Sequence, residues 1–248
     1  PGEFYKLDCP FVWGPIGGLE NTSWNAMKAL DFHGMLYYGL RNTINSFERN
    51  FLRAPKIAFK NTQAIISATS GIQKGIRKYY KRDSLVLSEI GMSENPNHTF
   101  SKRGEAETLR ISWSSNHDPG KALHLLLKGL AQLPSDINWQ LDILGEGDST
   151  KSWKSLSEKL GIQGNCIWHG KLARSSAMDV MANSHVFVVT SLKDLTSTVI
   201  VEAISLGLPV VALNHCGFTD VVTDGCGIKI DIARPDRISR DIKQAIEL

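Results

Sequence analysis

The sequence predicts an α/β fold with two domains, the first incomplete and the second a doubly wound parallel sheet. Three observations carry this prediction. Short, continuous apolar runs recur through residues 104–248, amphipathic helical patterns separate them, and the first hundred residues contain only fragments of the same alternation. Strands that are apolar on both faces must be covered on both faces, which a parallel sheet between two helical layers achieves. Both domains are therefore expected to be Rossmann-like.

The second half alternates strand and helix throughout. Val186–Val189 is a continuous apolar run, and Leu123, Leu126, Leu127 and Leu130 follow the helical period. Strands are predicted over residues 109–114, 139–144, 165–169, 185–190 and 209–213, with a last strand near 227–230. Helices are predicted over 119–133, 150–160, 174–183 and 198–206, followed by a terminal helical segment.

The first half holds fewer elements. The prediction is a strand end at Phe11–Trp13, a long helix over 24–53, a strand at 64–69, a helix at 71–80 and a strand at 85–90. A β-α-β fold places its first strands in the interior of the sheet, so this domain is expected to begin upstream of Pro1. The polar stretch 92–107 is predicted to link a partial N-terminal domain, 1–100, to a second domain, 104–248.

Charge is distributed unevenly along the chain. Residues 1–103 carry 14 Lys and Arg against 8 Asp and Glu, while residues 104–248 carry 14 against 17. The basic first half suggests an anionic surface or substrate nearby, or simply a solvated basic face.

The four cysteines form no C-x-x-C pair, and the spacing of His215, Cys216 and Cys226 matches no recurrent zinc pattern. Cys166 and Cys216 adjoin apolar runs and are expected in the core.

No run of 18 apolar residues and no basic-then-apolar leader is readable, so neither a membrane span nor a signal peptide is predicted. A cytoplasmic protein without a nucleic-acid partner is expected. Residues 28–60 nevertheless pair aromatic side chains with basic ones, including Tyr38, Phe47, Phe51, Arg41 and Arg49. These groups either pack inside the first domain or form a peripheral contact with the inner membrane face.

The segment 194–209 is the most informative one for chemistry. Its predicted helix is apolar nearly all round, so it is expected to be buried, and Glu202 is the one charge in it. A buried carboxylate requires hydrogen-bond donors, from the protein or from ligand hydroxyls. Ser197, with Thr196 and Thr198 beside it, is the expected N-cap, and helix N-termini at this edge of a parallel sheet favour phosphate. A purely structural capped helix is the alternative.

Two further segments could contact a ligand. Asp118 and then Pro119 mark a helix start, and Lys121 falls in its first turn, where a cation opposes the helix dipole. An anion that Lys121 must meet explains that placement, although a solvated lysine is the alternative. The glycines Gly17 and Gly18, in the run Gly-Pro-Ile-Gly-Gly after an apolar strand, allow close backbone approach to a ligand or form a tight turn.

Together these segments resemble the retaining glycosyltransferases of family 4, which have the two-domain GT-B fold. The residues in register with the family pattern are Ser191, Asp194, Glu202, Ala203, Gly207, Pro209, Val210 and Val211. The resemblance implies that Asp194 approaches the donor sugar and that Glu202 binds the nucleotide ribose. It also implies that Lys121 grips the donor diphosphate, while Asn116 stands where the family has an arginine.

The resemblance implies further that Gly170 and Leu172 border the nucleobase and that Gly17 and Gly18 lie near the donor. Lys121 and Asp194 are then the catalytic residues, and Asn116, Thr196, Ser197, Thr198 and Glu202 contact the substrate. The expected reaction transfers a sugar from a UDP- or GDP-sugar to a glycan, polyol or lipid-linked acceptor, with retention and with neither metal nor cofactor. An inactive scaffolding relative is one alternative. A dinucleotide oxidoreductase is another, although no G-x-G-x-x-G opens a β-α unit.

Overall fold

The computed structural model describes residue 6 and residues 8–91, 104 and 107–248. Most of the predicted linker 92–107 lies outside these residues. Residues 8–91 contain a three-stranded parallel sheet of order β1-β2-β3. Its strands are β1 (Val12–Ile16), β2 (Ala64–Ser67) and β3 (Leu85–Val86), and its helices are α1 (Trp24–Met27), α2 (Phe32–Phe51), α3 (Arg53–Asn61) and α4 (Ser70–Tyr80).

Residues 107–248 contain a six-stranded sheet in which all neighbouring strands are parallel. Its strands are β4 (Leu109–Ser114), β5 (Trp139–Leu144), β6 (Cys166–Gly170), β7 (Val186–Val189), β8 (Val210–Leu213) and β9 (Gly227–Ile230). Its helices are α5 (Leu123–Leu130), α6 (Thr150–Lys159), α7 (Arg174–Ala182), α8 (Thr198–Ser205), α9 (Phe218–Val221) and α10 (Pro235–Glu247). Separate apolar clusters pack on the sheet, one containing α5 and α10 residues and the other α7 and α8 residues. The doubly wound α/β prediction is confirmed.

The order of the larger sheet is β6-β5-β4-β7-β8-β9. The chain therefore runs outward from β4 in one direction and, after β6, outward from β7 in the other. At such a reversal the loops after the two central strands diverge and leave a crevice at the carboxyl edge, which is where open α/β sheets bind ligands. Here the loops after β4 and β7, residues 115–122 and 190–197, flank that crevice.

The stretch 24–53 is mostly helical, as predicted, but the chain starts a helix more than once in it. The Ser23 side chain caps α1 by accepting from the Ala26 N–H, and the Asp31 side chain caps α2 by accepting from the Gly34 N–H at 2.7 Å. Leu52 is extended and separates α2 from α3. Each cap satisfies N–H groups that a continuing helix would have bonded internally.

Helix α2 points its polar face inward and its apolar face outward. Asn42 bonds the Thr22 backbone, whereas Ser46 and Arg49 bond each other. The exposed apolar side chains are Phe32, Leu36, Tyr37, Leu40, Ile44, Phe47 and Phe51, and they share one face of the helix by their spacing. Packing of these side chains against the described residues, one of the two alternatives, is therefore not observed. Arg49, in contrast, is only 7% exposed, which agrees with the other alternative of packing inside the domain.

The predicted helix 119–133 is also divided. Residues 119–121 form a 3-10 turn, Ala122 is left-handed with φ 50°, and α5 begins at Leu123. Asp118 makes no capping bond through its side chain. The Lys121 carbonyl accepts a hydrogen bond from Thr190 Oγ1 at 2.8 Å, so this turn is held by β7's loop. The argument that Lys121 opposes the α5 dipole from within the first turn is therefore wrong.

Three smaller expectations also differ. β1 already contains Gly14, Pro15 and Ile16, so only Gly17 and Gly18 form the loop. The strand predicted at 85–90 spans just two residues. Cys166 is buried as predicted, but Cys216 is only half-buried.

In the part of the chain that the structure describes, no helix is long and apolar enough to cross a membrane.

Candidate functional site

Lys121 and Asp194 meet in the crevice between the ends of β4 and β7. Lys121 Nζ lies 2.7 Å from Asp194 Oδ2, and the two side chains are 20% and 22% exposed. The pair is thus open enough to meet a ligand and sheltered enough for its charges to matter. Sequence placed both residues in one site, and the structure brings them into direct contact.

A chain of hydrogen bonds positions this pair. The Trp113 indole in β4 donates to Thr190 Oγ1 at 3.0 Å, and the same hydroxyl donates to the Lys121 carbonyl. The Leu192 N–H donates to the Gly120 carbonyl at 2.8 Å. Both loops are therefore tied together from the fully buried Trp113 outward, which fixes where Lys121 can reach. Neither Trp113 nor Thr190 was identified from the sequence.

The N-terminus of α8 lies in the same loop region. Ser197 occupies the N-cap position as predicted, but its side chain makes no capping hydrogen bond. Thr198 is exposed at the first helical position, and the Thr196 hydroxyl donates to Glu89 Oε1 at 2.7 Å. The helix start is therefore available to an anion, which helix N-termini attract.

Glu202 is paired. Its Oε1 accepts from Arg174 Nε of α7 at 2.7 Å, and its side chain is 12% exposed against 68% for the arginine. The expected burial of α8 on all sides is wrong, because Ile200 and Ala203 are buried while most neighbouring side chains are half-buried. The helix packs on the sheet with one face, so Glu202 faces the protein surface, where α7 supplies its cation. The sequence analysis missed Arg174.

The Gly17–Gly18 loop of the small sheet packs against the loop after β7. A Cβ on Gly17 would lie 2.6 Å from Leu195 Cδ2, so a larger residue there would require the Leu195 side chain to shift. Gly18 has φ +86° and open space around it. Leu195 also joins the apolar cluster of the small sheet. These two glycines thus border the Asp194 loop, as a site shared by both sheets requires.

The remaining predicted residues line the same edge farther from Lys121. Asn116 is exposed in the loop after β4. Gly170 ends β6 with φ +68° and open space where a side chain would be, and Leu172 is half-buried beyond it. Because β6 lies two strands from β4, Gly170 at the end of β6 lies about 10 Å from the end of β4.

Buried polar groups surround the crevice. His117 is fully buried, its Nδ1 lies 2.7 Å from Thr150 Oγ1, and burial lowers its pKa. Burial also lowers the pKa of His215, whose Nε2 donates to the Ser191 carbonyl. Both rings are thus held mainly neutral at pH 7. In the described part of the chain, no group of three or more His, Cys, Asp or Glu side chains is placed to hold a metal ion.

Tyr38 of α2 reaches the crevice from the small sheet. A Cβ on Gly120 would lie 2.6 Å from the Tyr38 hydroxyl, so the two residues are in close contact. Burial, followed by the charge of Asp118, raises the pKa of Tyr38. The sequence grouped Tyr38 with aromatic residues that either pack inside the first domain or contact a membrane. Its helical spacing differs from that of Leu36 and Leu40, and this was the signal that could have separated it from them.

Comparison with known proteins identifies relatives along most of the chain. The model of the family "Glycosyl transferases group 1" matches residues 99–248. Lipopolysaccharide glucosyltransferase WaaG of Escherichia coli is 29% identical over 133 residues, which cover 52% of this chain and 35% of that protein. Lipopolysaccharide core biosynthesis glycosyltransferase LpsE of Rhizobium meliloti is 26% identical over 204 residues, covering 76% of this chain and 55% of that protein. The chain thus spans about a third to a half of these relatives.

Solved structures share the fold. The apo form of lipopolysaccharide outer core galactosyltransferase WaaB superposes with a TM-score of 0.67 at 18% identity, covering 85% of this chain and 63% of that one. Alr3699/HepE of Anabaena in complex with UDP superposes with a TM-score of 0.60 at 19% identity, covering 85% of this chain and 67% of that one. The family match covers more than half of the chain, and the doubly wound sheet agrees with it. This chain belongs to the glycosyl transferases group 1 family.

Proposed function

We propose that this chain is part of an enzyme that transfers a sugar from a nucleotide-sugar donor to an acceptor with retention of configuration. The observation that carries the proposal is the convergence of Lys121 and the α8 N-terminus in the crevice between β4 and β7. A cation and a helix N-terminus at one crevice are suited to a diphosphate. Within this proposal, residues 1–100 contribute to the acceptor side and residues 104–248 bind the donor.

The chemistry follows from where charge develops. As the bond from the sugar to the diphosphate breaks, negative charge accumulates on the leaving phosphate, and a positioned cation and helix N–H groups stabilise it. Lys121 supplies the cation and Thr196, Ser197 and Thr198 surround the helix start. Asp194, once Lys121 turns to the phosphate, is free to accept hydrogen bonds from the donor sugar.

The nucleoside contacts belong to the other end of the crevice. Glu202 is placed to accept hydrogen bonds from ribose hydroxyls in exchange for Arg174, and Gly170 leaves open space beside which a base can lie. Asn116 supplies a neutral contact where a second cation is absent. A neighbouring fold binds UDP, so uridine is the base to test first.

The proposal is tested by titrating UDP, GDP and ADP into the protein and then measuring turnover of the matching nucleotide sugars. We expect one nucleotide to bind at least tenfold more tightly than the others and its sugar to be transferred. The anomeric configuration of the product, read by proton NMR, decides retention. Tight nucleotide binding without turnover in the complete enzyme would instead favour an inactive scaffolding relative.

A peripheral membrane contact is a second part of the proposal, and the orientation of α2 supports it. Phe47 and Phe51 stack on each other at 5.1 Å between ring centroids while remaining 57% and 70% exposed. Exposed arginines lie nearby in the sequence, including Arg41 and Arg53. An apolar helix face edged by cations binds anionic lipid surfaces. Sedimentation with anionic liposomes at low salt should be lost in Phe47→Ser/Phe51→Ser, and an unchanged bound fraction would remove the idea.

A further inference from the structure

A second polar pocket lies beside the crevice, between the two sheets. It has a volume of about 350 Å³ and is lined by residues of α2, α4, the loop after β1 and the loops after β7 and β8. Neither Lys121 nor any residue of α8 lines it. The pocket borders the candidate donor site, because Lys193 precedes Asp194 and Leu19 follows Gly18.

Two side chains that line the pocket each have one buried polar atom without a partner among the described residues. One is Arg49 Nε and the other is Thr22 Oγ1, in side chains that are 7% and 5% exposed. Both side chains are otherwise fixed in place. Asn42 clamps the Thr22 backbone, and Arg49 donates to the Leu19 carbonyl and to Ser46 Oγ at 3.0 Å. Native proteins rarely leave buried donors unbonded, so a small movement of either side chain toward the pocket would give its atom a partner there.

Charge in the pocket is mostly positive. Arg49, Lys74, Lys78 and Lys193 line it, against the single carboxylate of Glu20. Arg49 lies over the Tyr79 ring at 4.9 Å and forms no ion pair with any carboxylate in the described part of the chain. Lys74 and Lys78 are one helical turn apart on α4, so they present two cations on one face.

The pKa values of two residues that line the pocket, Lys193 and Glu20, are shifted. Burial, followed by the positive charges of Arg41 and Arg49, lowers the pKa of Lys193. Burial raises the pKa of Glu20, the one carboxylate that lines the pocket. A bound anion would relieve the repulsion among the cations.

We propose that this pocket binds an anionic group of the acceptor, with the size and charge of a phosphate, held by Arg49, Thr22, Lys74 and Lys78. The inference rests on the proposed function, since it is that function which requires an acceptor next to the donor. An arginine offers planar donors to phosphate oxygens, a hydroxyl adds one more, and lysines add charge. The acceptor then extends from the pocket past Lys193 toward Asp194, where the donor sugar is expected.

The test measures binding of inorganic phosphate by calorimetry, with the donor site occupied by saturating UDP. The informative variant is Lys74→Gln/Lys78→Gln, whose exposed side chains can change without loss of folding. Lys56→Gln/Lys60→Gln on α3 is the matched control, because it also removes two exposed lysines four residues apart. Thr22→Val removes the unpartnered hydroxyl while keeping the shape of the side chain.

We expect the α4 double variant to weaken phosphate binding at least tenfold, Thr22→Val to weaken it about threefold, and the α3 control to stay within twofold of the parent protein. Acetate should bind at least tenfold more weakly than phosphate. Equal losses in the α4 and α3 variants, equal binding of acetate, or no phosphate binding at all would overturn the proposal. If UDP itself fails to bind, the donor assignment fails, and the phosphate titration without UDP still decides the pocket by the same variants.

Discussion

Replacing Asp194 by asparagine should strengthen nucleotide binding, whereas replacing Lys121 by glutamine should weaken it. The two side chains are an ion pair at 2.7 Å, so a diphosphate must compete with Asp194 for Lys121. Asparagine keeps the shape of Asp194 and removes its charge. An ion pair with a purely structural role would give no such opposite responses.

The magnitude follows from the geometry. A phosphate oxygen bonded to Lys121 Nζ at about 2.8 Å would place its charge about 5 to 6 Å from the Asp194 carboxylate. With side chains about one-fifth exposed, an effective dielectric of about 20 to 40 gives a repulsion of about 1.5 to 3 kcal/mol per unit charge. Removing it tightens binding about 10- to 150-fold. Losing the charge-assisted bond in Lys121→Gln costs about 1.5 to 3 kcal/mol, which is about 10- to 150-fold.

The assay is calorimetric titration of UDP at low and at physiological salt, with thermal unfolding to verify that each variant is folded. Asp241→Asn on α10 is the matched control, because it breaks the surface ion pair of Arg237 and Asp241 far along the chain from the crevice. It should leave UDP affinity within twofold. If Asp194→Asn and Lys121→Gln weaken UDP to the same extent, or if neither changes it, the assignment of Lys121 to the diphosphate is refuted.

Three further predictions use other contacts. Glu202→Ala should weaken UDP binding by about 1 to 3 kcal/mol, whereas Arg174→Ala, which removes the exposed partner of Glu202, should not weaken it. Equal UDP affinities of Glu202→Ala and the parent protein in calorimetry would contradict the ribose role of Glu202. Asn116→Arg, which adds a cation at an exposed position, should keep or tighten UDP binding, and a tenfold loss in the same titration would mean that the family register slips there. Burial lowers the pKa of His124 to about 4 from 6.5, so the unfolded chain takes up this proton first as pH falls. Stability is thus lost between about pH 6.5 and 4, by up to about 3 kcal/mol; denaturant unfolding of His124→Gln should show a flatter pH profile, and an unchanged profile would contradict that cause.

The large sheet could be predicted from sequence because its strands are buried on both faces. Segments such as Val186–Val189 are therefore continuous apolar runs, and a pattern of that kind identifies strands without any knowledge of their neighbours. The α5 region was less predictable. Its helical period is clear, but the chain breaks at Ala122, next to Lys121, whose carbonyl accepts a hydrogen bond from Thr190, 69 residues farther along the sequence. Local patterns contain no information about that contact.

The candidate site was likewise predictable from the sequence only in part. Lys121, Asp194 and Glu202 were predicted from motifs, but their ion-pair partners depend on which loops become neighbours. For Arg49 the sequence left two alternatives, a place inside the first domain or a membrane-facing surface, because charged residues are usually exposed. The helical spacing of Asn42, Ser46 and Arg49 was the signal for an inward polar face, and it competed with a stronger apolar stripe on the opposite side of α2.

The most direct measurement of the central claim is a crystal structure of this chain with bound UDP. The account predicts that a β-phosphate oxygen lies within about 3 Å of Lys121 Nζ, displacing Asp194, with the phosphate at the α8 N-terminus and the ribose hydroxyls on Glu202. UDP bound elsewhere, with the contact between Lys121 and Asp194 intact, would contradict it.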